Sequence, residues 1–101
     1  MILKKTIINE YQKNGVVILK NIIDSFWLQT LSKGIKKNFK NPSKYKCVYE
    51  KENNKELFYD DYCNWQRINE YNDFLKYSNI AKISMELMLS KKVNLFHEHV
   101  L

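Results

Sequence analysis

The sequence predicts an α+β domain, on three observations. Apolar residues recur every three to four positions in several segments. One short run, Val16-Val17-Ile18-Leu19, is mostly β-branched. The last nine residues alternate with period two. At 101 residues the chain is read as a single domain, 1–101, able to bury roughly 65% of its unfolded surface.

In chain order, Ile7, Ile8 and Tyr11 give Thr6 to Asn14 the spacing of a short amphipathic helix. Thr6 is placed to cap its start and Gly15 to end it in the left-handed region. Val16 to Leu19 then reads as a buried strand. Asp24 or Ser25 caps a second helix whose inner stripe is Trp27/Leu28, Leu31 and Ile35, with Phe39 at its far end. Asn41-Pro42-Ser43 stops it. Tyr45 to Tyr49 is compatible with a strand, Glu50 to Glu56 (which includes Asn53-Asn54) is a polar stretch, and Leu57-Phe58-Tyr59 is ambiguous. Ile68, Tyr71 and Phe74/Leu75 restore the helical period. Ser78 or Asn79 opens a last helix with Ile80, Ile83, Leu87 and Met88 inward, ended by Ser90-Lys91-Lys92. Over residues 93–101, Val93, Leu95, His97, His99 and Leu101 share one face of a strand. No turn or polar tail follows Leu101, so the sequence is expected to be the front part of a longer domain, barrel or sheet, with a terminal strand prone to self-association.

Composition narrows the function classes. Two Gly, one Pro and fourteen aromatic residues exclude collagen-like and disordered chains. No apolar run approaches the roughly 20 residues of a membrane helix, and the charged N-terminus is unlike a secretory signal. Cys47 and Cys63 are too few and wrongly spaced for a scaffold, which fits reduced thiols in a cytoplasmic protein. The formal charge of +6 would suit nucleic acid, yet all but one of the 17 basic residues are lysine, the exception being Arg67. Phosphate and base recognition favour the planar fork of arginine. Lys, Asn, Ile, Tyr and Phe make up about half the chain, the bias of an A/T-rich coding sequence. The lysines therefore read as a solvated surface, with neither nucleic acid nor membrane as the expected partner.

Chemistry-bearing residues are few. His97 and His99 project together from a strand, but a metal site needs a third ligand, and only the generic carboxylates Asp60 and Asp61 offer one. That adjacent pair reads as solvated. No phosphate-binding glycine loop, nucleophile elbow or zinc-type spacing is present.

The order of segments resembles a family. INEYQKNGVVILKNIID (residues 7–24), CNWQRINEYNDFLKYSNIAKISMELM (63–88) and VNLFHEHVL (93–101) are similar to successive pieces of the phytanoyl-CoA dioxygenase-like proteins, non-haem Fe(II)- and 2-oxoglutarate-dependent oxygenases. The resemblance implies a double-stranded β-helix (jelly-roll) fold, to which this chain would supply the N-terminal helices and first strands, leaving the barrel incomplete. It implies Fe(II) and 2-oxoglutarate as cofactors of the whole enzyme and a small aliphatic or lipid-like molecule as its substrate. The family's His-x-Asp and distant His iron ligands would follow Leu101, so neither a catalytic nor a metal-ligating residue is expected here. The last strand lines the barrel near the cosubstrate in the family, which makes His99, then His97, the lining candidates. A 2-oxoglutarate-binding lysine of some members falls at Asn64, so that role is not carried over. Asn64, Trp65 and Arg67 complete the lining set. The alternatives are a small α+β protein-binding module, docking through the aromatic-rich 45–65 region, and a basic nucleic-acid-binding domain using the lysines.

Overall fold

The structure, a computed structural model, describes residues 1–51 and 54–101. Its elements are α1 (Lys5–Asn14), α2 (Ser25–Lys40), β1 (Cys47–Lys51), β2 (Asn54–Tyr62), α3 (Asn69–Tyr77), α4 (Ile80–Leu87) and β3 (His99–Val100). Part of the polar stretch 50–56, including Asn53, lies outside the described residues. The three strands form one antiparallel sheet in the order β1-β2-β3. The protein is α+β, as the two periodicities predict.

Local chemistry accounts for the helix ends. Gly15 adopts φ 73° and donates its N–H to the Tyr11 carbonyl at 2.7 Å, closing α1 in the left-handed conformation that glycine takes without Cβ strain. Asp24 accepts the N–H of Trp27 at 3.0 Å and caps α2. Thr6 is not the cap of α1: the helix starts one residue before it, and Lys4 occupies the cap position without a side-chain bond.

Two packing centres result. Leu3, Ile8 and Ile83 are buried together, with Ile7, Leu19, Ile22 and Leu87 against them, joining α1 to α4. The Glu86 carboxylate ties the N-terminus to this centre by accepting the N–H groups of Ile2 (2.6 Å) and Leu3 (2.7 Å). The second centre joins α2 to α3, where the backbone of Gly34 lies against the Tyr71 ring. A Cβ at Gly34 would come within 2.7 Å of Tyr71 Cε1. Trp27 meets Phe74 edge to face, their centroids 5.8 Å apart.

Three expectations need correction. Val16 to Leu19 is extended but unpaired, and Val16 (65%) and Ile18 (80%) are exposed, so it is not a buried strand. With no neighbouring strand to bond it, only Val17 and Leu19 turn toward the helices. The inner stripe of α2 continues to Asn38, which is fully buried, rather than to Phe39, which is about half exposed. Position 38 falls on the stripe through Leu31 and Ile35 by helical spacing, so a polar residue takes the inner place. The strand over 93–101 is paired only at His99–Val100, and Phe96 is 92% exposed. Period-two patterning produces a ladder only where β2 lies alongside.

Candidate functional site

The sheet presents different chemistry on its two sides because successive β2 residues alternate. Tyr59 and Asp61 face the helices; Asp60 and Tyr62 face the opposite way.

On the helix side, Asp61, Asn38 and Asn64 are all fully buried. The Asp61 carboxylate accepts from Asn38 Nδ2 (2.8 Å), the Ser43 N–H (2.9 Å), the Ser43 hydroxyl and the Tyr62 N–H (2.9 Å). The Asn38 amide is satisfied at its other end, where Oδ1 accepts from the Tyr71 hydroxyl at 3.1 Å and, at the long distance of 3.4 Å, from Asn64 Nδ2. Asn64 Nδ2 also donates to the Tyr62 carbonyl (3.2 Å), and its Oδ1 accepts from Arg67 Nε (2.7 Å). Burial pushes the Asp61 carboxyl up, but the donors from Ser43, Asn38 and Tyr62 outweigh it and hold the group down at about 2. Burial, then the negative charges of Glu98 and Asp61, pushes the Tyr71 hydroxyl up to about 12 against the opposing Arg67. Asp61 is therefore ionised and Tyr71 neutral across the physiological range. A carboxylate with four donors and no solvent access organises the loop around it.

The adjacent pair Asp60-Asp61 is thus not solvated as expected, because the β pleat sends the two side chains to opposite sides. Asp60 Oδ1 lies 3.4 Å from His99 Nε2 on the outer side. There Tyr62 stacks on Tyr45 at 4.7 Å and touches both imidazoles, with centroid distances of 5.7 Å to His97 and 5.2 Å to His99. The two imidazoles are 6.1 Å apart. His97 and His99 do share one side.

Glu98 points away from them and clamps the turn after β2. Its carboxylate accepts the Asn64 N–H and the Trp65 N–H (3.1 Å), and its carbonyl accepts the Cys63 N–H (3.2 Å). The clamp holds Cys63 at φ 62°, an uncommon conformation for a residue with a Cβ, and this turns the chain from β2 toward α3. Cys47 and Cys63 are both exposed and unbridged.

The lining candidates therefore fall in two groups. His97 and His99 meet over Tyr62, while Asn64 and Arg67 are bonded to each other and Glu98 joins Trp65 to them. His99 also borders a cleft of about 340 Å³ between α2, α3 and residues 98–101, lined by Leu31, Ile35, Phe74 and Leu75 among others. Arg67 lines a different and more polar pocket. Sequence reasoning missed Asn38, Ser43 and Tyr71 as site residues, and named Asp61 only as a solvated carboxylate beside Asp60. A signal existed for one of them: an amide on the apolar stripe of α2.

Among the described residues no three His, Cys, Asp or Glu side chains are arranged to hold a metal ion. The cleft beside His99 is mainly apolar and includes Glu98, which makes it a poor lining for a dicarboxylate, whereas the imidazoles themselves lie on the other side of the sheet, over Tyr62. Among the described residues no helix is long and apolar enough to cross a membrane. No protein-family model matches this chain, and neither the curated proteins nor the solved structures contain a match to it.

Proposed function

We propose that this chain is the part of a phytanoyl-CoA dioxygenase-like oxygenase that precedes its iron-binding segment, supplying the N-terminal helices and first strands of a jelly roll. In this reading the whole enzyme uses Fe(II) and 2-oxoglutarate to hydroxylate a small aliphatic or lipid-like substrate, and residues 1–101 alone are inactive. The observation that carries it is the pairing of residues 99–100 with β2, with His97 and His99 on one side and Glu98 on the other. That is the alternation expected of a cosubstrate-lining strand. Imidazole N–H groups there can donate hydrogen bonds to a carboxylate-bearing cosubstrate. The coding sequence adjoining codon 101 tests the reading. It should continue into a segment with His-x-Asp; an adjoining sequence without that pair would overturn it.

A protein-binding module is the second reading, favoured by one observation: Val16, Ile18 and Phe96 all expose most of their side-chain surface.

A further inference from the structure

Most of the lysines are scattered, but the fold gathers cations in one place. Lys37 and Lys40 are one turn apart on α2 and line a pocket of about 280 Å³ together with Asn41, Arg67 and Asn69. Arg67 is the single arginine among 17 basic residues. In a chain that otherwise uses lysine throughout, a guanidinium here marks a position where a planar fork matters. Its Nε is pinned by the buried Asn64 at 2.7 Å. Among the described residues its two terminal nitrogens have no hydrogen-bond or ion-pair partner. Glu70, in the first turn of α3, pairs with Lys37 and offsets it, and its second carboxylate oxygen is buried without a partner among the described residues, so Lys40 and Arg67 are the cations left to the pocket. Asn69, the first residue of α3, lines the same pocket.

From this convergence we propose that the pocket between the end of α2 and the start of α3 binds the phosphate group of a small soluble phosphomonoester. The Arg67 guanidinium, the Lys40 ammonium and two amides approach from different elements, a donor set that suits a phosphate group. The volume exceeds that of a phosphate alone and leaves room for a small polar substituent. The site is separate from His97 and His99, and it stands whether or not the oxygenase reading does.

The test is an amide NMR titration of the whole chain with inorganic phosphate and with glycerol 3-phosphate, at constant ionic strength set by sodium chloride. Saturable shifts confined to residues 37–41 and 67–70 are expected. Arg67→Gln should weaken binding about tenfold, as loss of a charged hydrogen bond does. Lys40→Gln, which touches no buried group, should weaken it about threefold, so the test survives if Arg67→Gln fails to fold. Lys20→Gln, an exposed change elsewhere, should leave it unaltered. Non-saturating shifts, shifts spread over Lys20 and Lys91, or equal effects of Lys20→Gln and Lys40→Gln would overturn the proposal. So would tighter binding of an RNA oligonucleotide with a steep salt dependence, which would mark a polyanion surface instead.

Discussion

At the scale of single residues, Asp61 holds the most interactions for its size. Asp61→Ala would take the acceptor from the partly buried Ser43 and Tyr62 N–H groups and leave the buried Asn38 Nδ2 with only its long 3.4 Å bond to the Tyr59 hydroxyl. Each buried donor left unmade costs about 1–3 kcal/mol, so chemical denaturation should show a loss above about 3 kcal/mol. Acid should act through the same group. Its folded pKa lies at about 2, below the ordinary 3.8, so the stabilisation is complete above pH 4 and is lost as pH falls from there toward 2. A urea midpoint that does not move over that interval in the wild type would contradict this role. None of the network was legible in the sequence as a network. Its members come from α2, the Ser43 loop, β2 and α3, and only the tertiary fold brings them together. Adjacent carboxylates look alike on paper, while the pleat makes Asp60 a surface neighbour of His99 and Asp61 a buried acceptor. His97 and His99 were legible as a pair, since period-two alternation alone puts them on one side.

At the scale of elements, the helices were legible because their apolar spacing is regular and their stops are explicit, with Gly15 at α1 and Asn41-Pro42 at α2. The strands were less so. Val16 to Leu19 has the composition of a strand but no neighbour to pair with, and residues 93–98 alternate without a ladder. Both cases separate propensity, which is local, from pairing, which depends on a second segment. The contact between α2 and α3 rests on a missing side chain. Gly34→Ala would drive a methyl into the Tyr71 ring, which is buried and held by Asn38 through its hydroxyl, and cannot swing aside. Overpacking of this kind costs about 1–3 kcal/mol, outweighing the gain of up to about 1 kcal/mol from replacing glycine in a helix. A lower melting temperature is expected, and an unchanged or higher one would show that the two helices have room to separate.

At the scale of the whole molecule, the core is small and the shape extended. The radius of gyration is 16.2 Å, against about 13 Å for a compact domain of this length. Only Leu3, Ile8, Ile68, Tyr71 and Ile83 are buried apolar residues among those described. Large exposed apolar side chains and a β3 strand bonded on one side favour association. Sedimentation velocity should therefore show a concentration-dependent rise in mass, reduced by Ile18→Lys or Phe96→Ser; a strict monomer at high concentration would argue against it. Residues 1–101 alone should form no succinate from 2-oxoglutarate and Fe(II). The oxygenase reading is tested most directly by succinate formation in a protein that joins residues 1–101 to the His-x-Asp segment this reading requires, with and without His99→Ala. Fe(II)-dependent succinate is expected, with His99→Ala raising KM for 2-oxoglutarate about tenfold, the loss of one hydrogen bond to a charged group. No succinate, or a KM indifferent to His99, would contradict it.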